Sequence, residues 1–396
     1  MNLPKQFIAQ TQTILGDKWS EFEKALHADC PISIRLNGKK LTAQEYETHN
    51  FQNISGKIPW AANAYYLKTR PVFTLDPLLH AGCYYIQEAS SMFIEQIVNK
   101  YIKTPAKVLD LCAAPGGKAT HLSSILPEGS LLVANETIRS RVPTLVENLV
   151  KWGNPNTIVT NCDPSEIAPL AGFFDAILCD LPCSGEGMFR KNPAAVKQWS
   201  VKNVNLCAER QFRIVSDVFP ALKTGGILLY STCTYNRREN EENLYRICRK
   251  FNAELIEPPH RFMIHDTDGE GFFIAVMRKL SDDSISNPIS PDSLKIVYDG
   301  RKIITTENNT APSHAIAMST SFPKNSFPNW DTDLHTALKY LHGDALNKIP
   351  AEIPLGYVLL TYKNHPLGFV KNIGTRANNL YPRQWRIRME IPPVML

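Results

Sequence analysis

The sequence predicts an α/β protein: a Rossmann-like parallel sheet covered by helices, with a small subdomain before it and a β module after it. Three observations predict this. Short apolar runs alternate with helix-length amphipathic stretches from about residue 100 to 280, as in a sheet buried on both faces. The composition turns to Ser, Asp and Pro just after Lys279. The last stretch holds two good strands and interleaves basic with aromatic residues. The expected parts are an N-terminal accessory subdomain at 1–80, a central α/β domain at 81–280, a linker and small mixed region at 281–350, and a C-terminal module at 351–396.

In the first part, two amphipathic helices are expected at about 3–14 and 18–27. A strand follows at Ile32–Leu36, where Ile-Ser-Ile-Arg-Leu alternates before the Asn37-Gly38 turn. Gln87–Lys100 reads as a helix with Met92, Phe93 and Ile97 on one face. The strands of the sheet are then Lys107–Leu111, Ser130–Glu136, Thr157–Asn161, Phe174–Asp180 and Gly226–Ser231. Helices at about Gly117–Leu126, Arg139–Lys151, Val204–Leu222 and Arg237–Lys250 separate them, and Gly271–Met277 adds a strand near the end of the sheet. Ser281–Pro291 reads as a linker. A helix near Asp333–Leu341 and strands at Gly356–Tyr362 and Leu367–Asn372 complete the chain.

Between Thr361 and Met389 stand Lys363, Lys371, Arg376, Arg383, Arg386 and Arg388, with no acid, threaded by Tyr362, Phe369, Tyr381 and Trp385. That pattern fits a small module that grips phosphate and stacks bases. A solvated, mildly basic surface is the plainer alternative.

With 396 residues, 43% hydrophobic and 20% charged, the chain has the composition of an ordinary globular protein, not a disordered or fibrous one. Its net charge of +5 permits an anionic partner without demanding one. Nine scattered cysteines fit free thiols in a reducing compartment better than a disulfide scaffold. The start lacks the apolar stretch of a signal peptide, and no apolar run is long enough to span a membrane. A cytoplasmic, membrane-free monomer is expected.

The first sharp feature is Asp110-Leu-Cys112-Ala113-Ala114-Pro115-Gly116-Gly117-Lys118, a strand end running through small residues into a helix. Small residues let a ligand approach the backbone, and the helix start exposes N–H groups. Neither the dinucleotide fingerprint nor a Walker A loop is present. Glu136 ends the second strand, where a carboxylate can take both hydroxyls of a ribose. Asp163 follows the third strand and could meet an adenine edge, although Asp163-Pro164 is also a good turn starter. Asp180 ends the fourth. A pocket with these acids and no phosphate cradle suits S-adenosylmethionine.

Two cysteines sit on loops at the same sheet edge: Cys183 in Asp180-Leu-Pro-Cys-Ser-Gly-Glu-Gly187, and Cys233 in Ser231-Thr-Cys-Thr-Tyr235. C5 of cytosine is too weak a nucleophile to attack a sulfonium methyl. A thiolate adding at C6 makes the ring enamine-like, and an acid at N3, a task for Asp180, eases that step. Spacing alone does not say which thiol attacks. Zinc is disfavoured, because no fourth Cys or His stands at ligand spacing, and no metal is expected.

These motifs resemble those of the NOL1/NOP2/Sun family of RNA 5-methylcytosine methyltransferases, and within it the bacterial RsmF-type (YebU-type) enzymes of 16S ribosomal RNA. The resemblance runs from about Ser33 to Lys279 and again over the C-terminal segment. It implies a class I S-adenosylmethionine-dependent methyltransferase domain, an N-terminal RNA-binding subdomain and a PUA-like tail. It implies that Cys112 to Lys118 contact S-adenosylmethionine, with Glu136 on the ribose, Asp163 on the adenine side, and Asp180 the acid of the Asp-x-Pro-Cys motif. By the same resemblance Cys233 is the nucleophile and Cys183 assists product release. Arg141 and Gln87–Met92 line the active site. The tail residues Lys371, Arg376, Arg383, Arg386 and Arg388 are implied to bind RNA. Two departures stand out: the stretch from Lys279 to Ala311 is shorter than in the larger members, and no Pro precedes His265.

The expected activity is therefore methylation of a cytosine C5 in 16S rRNA, with the small ribosomal subunit as partner. A tRNA cytosine-C5 enzyme would share every catalytic residue, so substrate is the discriminator. An RNA-binding ribosome assembly factor is the alternative of another class; the intact Asp180, Cys183 and Cys233 argue against a dead enzyme, but not against a second, chaperone-like role. DNA is disfavoured, because no element for extruding a base from a duplex is apparent.

Overall fold

Alternation in Ile32–Leu36 does produce a strand, β1, preceded by helices Lys5–Leu15 and Trp19–Ala25. The computed structural model describes residues 2–281, 293–302 and 311–392, so nearly all of the expected linker Ser281–Pro291 lies outside the described residues. Three further strands, β2 (Ile54–Lys57), β3 (Ala64–Leu67) and β4 (Tyr84–Ile86), join β1 in a four-stranded antiparallel sheet of order β2-β3-β1-β4. β4 carries this first sheet past residue 80. The helix expected from Gln87 begins later, as a 3-10 turn at Ser90–Phe93 followed by an α-helix at Ile94–Tyr101. Glu88 is the reason. Its carboxylate accepts from the Ser90 and Ser91 amides at 2.7 and 2.8 Å, capping the turn and leaving Gln87 outside it.

The central strands form close to where the apolar runs placed them: β5 (Lys107–Asp110), β6 (Leu131–Asn135), β7 (Thr157–Thr160), β8 (Phe174–Asp180) and β9 (Leu222–Thr232). They are mutually parallel, in the order β7-β6-β5-β8-β9. The chain leaves β5 toward β6 and returns to the other side of β5 with β8. The direction of winding therefore reverses between β5 and β8, the place where open α/β sheets bind ligands. Antiparallel strands finish both edges. Beside β9 lie β10 (Ala253–Leu255), β11 (His260–Phe262) and β12 (Phe272–Lys279), and β13 (Ile296–Asp299) pairs with β7.

Successive residues of a strand face opposite layers. Leu109, Ile177 and Leu228 enter one core with Val215 and Ile247; Val108, Leu178 and Leu229 enter the other with Ile97 and Val98. Each such aliphatic side chain, removed from water, contributes about 1.5–3 kcal/mol. Both faces of the sheet are thereby fixed, and its carboxyl edge is left to the loops.

The C-terminal module is a second small sheet. β14 (Asn329–Thr332) runs parallel to β15 (Gly356–Tyr362), which continues through β16 (His365–Asn372) to β17 (Ala377–Asn379). Helix Leu334–His342, capped by Asp333 accepting from the Thr336 amide at 2.8 Å, covers it. Trp330, Tyr340 and Tyr381 of this module share one continuous core with Ile34, Tyr65 and Tyr84 of the first sheet. The expectation of base-stacking rings is corrected here. Phe369 and Tyr381 are buried, and Trp385 packs on His314 with ring centroids 5.1 Å apart. These rings are used by the core, which leaves the basic residues as the module's polar face.

Candidate active site

At the reversal of the sheet, β5 ends in Asp110 and the chain passes through Cys112, Ala113 and Ala114 into helix Gly117–Ile125. Gly116 caps that helix at φ +118, a conformation open to glycine, and a side chain there would press on Asn148 at 3.3 Å. The turn is tied from two directions. Arg141 bonds the Ala114 carbonyl, and Asn148 donates to the Pro115 carbonyl at 2.8 Å. From the first sheet, Arg35 donates to Gln87 Oε1 (2.9 Å), Thr120 Oγ1 (2.7 Å) and the Gly117 carbonyl (3.4 Å), and lies 4.5 Å over Trp152. Burial pulls the Arg35 guanidinium down to about 9. Nothing in the sequence singles out Arg35, because its partners come from three distant segments.

Two buried carboxylates face this turn with oxygens to spare. Glu136 accepts from the Ile138 amide at 2.8 Å through one oxygen. Its other oxygen stands 3.2 Å from Arg141 but out of line for a hydrogen bond. Asp110 is fully buried, and neither oxygen has a well-aligned partner. Burial, with the charge of Asp180 next, pushes Asp110 up to about 8. Buried polar atoms in native proteins are nearly always paired, so these oxygens mark a place for a polar ligand. A nucleoside with ribose hydroxyls and an amino-acid tail fits them, and the Ala-Ala-Pro-Gly-Gly run leaves it room. Asp163 caps helix Pro164–Ile167, accepting from the Ser165 amide (3.1 Å) and hydroxyl (2.8 Å). Against the effect of burial, those bonds hold it below the usual carboxylate range.

Asp180 and Ser231 lie opposite each other at the ends of β8 and β9. The two loops beyond them bring Cys183 Sγ and Cys233 Sγ to 3.2 Å, far longer than the ~2.05 Å of a disulfide. The hydrogen bond to Cys233, together with burial, pushes the Cys183 thiol well up. Either sulfur can be the donor in that contact. Lys118 donates to Asp180 at 2.9 Å and Ser231 to its other oxygen at 2.8 Å. Although burial opposes its charge, Asp180 holds the Lys118 ammonium above its usual range, and a Cys233 thiolate adds to that effect.

The loops are held by two carboxylates that sequence reasoning missed. Glu186 accepts from the Tyr235 and Asn236 amides (2.8 and 2.9 Å), the Asn236 side chain (3.0 Å) and the Trp199 indole (2.9 Å). Glu239 accepts from the Ser184 amide (2.9 Å), Gln211 (2.9 Å) and Asn236 (2.7 Å). The available signal was an acid between glycines, Gly185-Glu186-Gly187, in a stretch otherwise short of charge. Gly187 allows the closest approach. Its N–H donates to the Cys233 carbonyl at 2.9 Å, and a Cβ there would lie 2.6 Å from the Gly271 carbonyl oxygen.

Gln87 of the segment Gln87–Met92 does reach the cofactor turn, with its Cγ 4.0 Å from where a Cβ on Gly117 would stand. Of the tail residues, Lys371, Arg376, Arg383 and Arg388 are exposed. Arg386 lies tightly over Gly343, so its stem is a packing element. No helix among the described residues is long and apolar enough to cross a membrane.

A doubly wound sheet with this turn, and with thiols beside it, defines a Rossmann-fold methyltransferase of the S-adenosylmethionine-binding class, carrying a separate PUA-like β module. Residues 101–278 match the family model of 16S rRNA methyltransferase RsmB/F, residues 3–89 that of the N-terminal domain of 16S rRNA methyltransferase RsmF, and residues 327–387 that of the methyltransferase RsmF PUA domain. The chain belongs to the RsmF branch of the NOL1/NOP2/Sun family of rRNA C5-methyltransferases.

Ribosomal RNA small subunit methyltransferase F of Erwinia tasmaniensis is 28% identical over 96% of each chain. Its counterpart in Pectobacterium atrosepticum is 34% identical over 70% of this chain and 63% of its own, so that match spans a little under two thirds of the relative. Among solved structures, a methyltransferase homolog from Pyrococcus horikoshii superposes with a TM-score of 0.62 at 28% identity, over 70% of this chain and 95% of its own. NSun6 from the same organism shares the fold (TM-score 0.61, 19% identity, 70% and 99% covered).

Proposed function

We propose that this chain methylates C5 of a cytosine in 16S rRNA through a covalent bond between Cys233 and C6, with S-adenosylmethionine as donor. The observation that carries the reading is the Cys183–Cys233 contact of 3.2 Å beside the Lys118–Asp180 pair. When bound, the donor supplies an electrophilic methyl group. Glu136 would take the ribose hydroxyls, the Cys112–Lys118 turn would hold the amino-acid end, and Asp163 the adenine side. Cys233 attacks C6 as the thiolate, and Asp180 holds the N3 edge with a proton supplied through Lys118. The extra electron density reaches C5, which becomes the nucleophile. Once C5 is methylated, the Cys183 sulfur takes its proton as it gives up its own, and the C6–S bond breaks. Cys183, protonated and in contact with Cys233, returns a proton to the leaving sulfur. The exposed Lys371, Arg376, Arg383 and Arg388 would hold phosphates of the ribosomal RNA.

The test is transfer of a labelled methyl group to small subunits, large subunits, naked ribosomal RNAs and tRNA from cells lacking the protein. Label is expected in small-subunit RNA; label confined to tRNA would overturn the substrate assignment. Cys233→Ala should abolish transfer, and Cys183→Ala should accumulate a protein–RNA adduct on a denaturing gel. An adduct formed by Cys233→Ala instead would reverse the two roles.

A further inference from the structure

A cleft of about 710 Å³ opens between the first sheet and the Asp266–Asp268 loop, outside the site described above. Trp60 and Tyr66 line it, both half-buried. Trp60 packs on Phe262 with ring centroids 5.3 Å apart and donates its indole N–H to the Ala89 carbonyl at 2.7 Å, which fixes the ring. Lys57 and Lys68 stand exposed on the sheet's side. Lys57 is paired with Glu47 at 2.8 Å and Lys68 bonds the Gln52 carbonyl at 2.9 Å. Such exposed contacts are worth little and exchange readily for phosphate. On the loop's side Asp266 is paired with Lys18 at 3.1 Å. Asp268 is exposed and has no ion pair among the described residues.

The cleft lies close to the chemistry. Asp268 stands three residues before Gly271, at most about 11 Å along an extended chain. Gly271 packs on Gly187, whose N–H donates to the Cys233 carbonyl at 2.9 Å. Its volume falls in the roughly 300–1,000 Å³ range of sites that enclose an organic ligand. Unpaired RNA is recognised by stacking splayed bases on aromatic rings and by hydrogen bonds to their edges.

Resting on the function proposed above, we infer that this cleft holds an unpaired nucleotide flanking the target cytosine. Its base stacks on Trp60 and Tyr66, an edge bearing N–H donors meets the Asp268 carboxylate, and its phosphates run along Lys57 and Lys68. Guanine offers two adjacent N–H donors to the two carboxylate oxygens and uracil offers one, so guanine is the better occupant.

The experiment measures binding of the full chain to a fluorescein-labelled uridine 12-mer and to the same 12-mer with guanine at every third position. Wild type should bind the guanine-containing strand more tightly, and Asp268→Ala should erase that difference. Trp60→Ala with Tyr66→Ala should weaken both strands at least tenfold while S-adenosylmethionine affinity holds. Lys57→Glu with Lys68→Glu touches only exposed positions, so it reads the cleft even if the aromatic variant fails to fold; it should weaken both strands and flatten the salt dependence. Wild-type binding of both strands by the lysine variant, or a guanine preference that survives Asp268→Ala, would overturn the proposal. Methyl transfer to 16S rRNA, measured alongside, separates the two readings. Transfer with unchanged KM in these variants sinks the cleft alone, and absence of transfer by wild type sinks the proposed function.

Discussion

The two halves of the pocket use their buried carboxylates in opposite ways. Around the cysteines, Glu186 and Glu239 each accept several hydrogen bonds from the loops they hold. Around the cofactor turn, neither Asp110 oxygen has a well-aligned donor, and the second oxygen of Glu136 has only the Arg141 guanidinium, 3.2 Å away and out of line. A buried carboxylate whose partners are all protein is scaffolding, and one left short of partners is a receptor. The first half is set before any substrate arrives. The second is completed by what binds.

Removing a scaffold acid should have the largest effect. Glu239→Ala strands the Ser184 amide, Gln211 and Asn236, and should cost about 3 kcal/mol or more in urea unfolding, with methyl transfer lost. An unchanged midpoint would break the contrast between the halves. Glu136→Gln should do the reverse: little change in unfolding, but a roughly 10- to 100-fold loss of S-adenosylmethionine affinity by calorimetry, the scale of a charged hydrogen bond. Affinity within twofold of wild type would remove Glu136 from the receptor half.

Asp110 sharpens the comparison through pH. Its folded value of about 8 lies above the unfolded one of 3.8, so folding takes up a proton between them. The stability it contributes is fully present below the unfolded value and is lost as pH rises through about 8. Unfolding midpoints of the wild type should therefore fall over that range, and Asp110→Asn should flatten the decline. Equal slopes in the two proteins would mean that Asp110 finds a partner without a ligand. The smallest effect belongs outside the pocket. Neutralising Arg383 and Arg388 should lower the salt slope of RNA binding by about 1.4, two single-strand phosphate contacts. An unchanged slope would leave these arginines as plain surface.

What was legible in the sequence follows the same division. β5 to β9 could be read because strands buried on both faces are continuous apolar runs, and their ends then placed Asp110, Asp180, Cys183 and Cys233 together. β10, β11 and β13 have mixed edge positions and three or four residues each, too few for a period to emerge. Glu186 and Glu239 were hidden because a buried acid looks like a surface acid until its donors are known, and those donors come from other loops. Tyr381 and Phe369 misled for the opposite reason. An aromatic between basic residues looks available for stacking, and here each is covered by a helix or by the first sheet.

Because Trp330 and Tyr381 complete a core that Ile34 and Tyr65 begin, the order in which this chain is made differs from the order in which it can be finished. The first sheet leaves the ribosome early, and its own segments (Leu41, Tyr46, Phe73, Leu75) cover only part of its apolar face until the last seventy or so residues follow. The end of the chain is thus a closing piece, not a detachable tool. A premature stop after β13 would leave the thiol motifs intact in sequence while stripping the beginning of the protein of its other half.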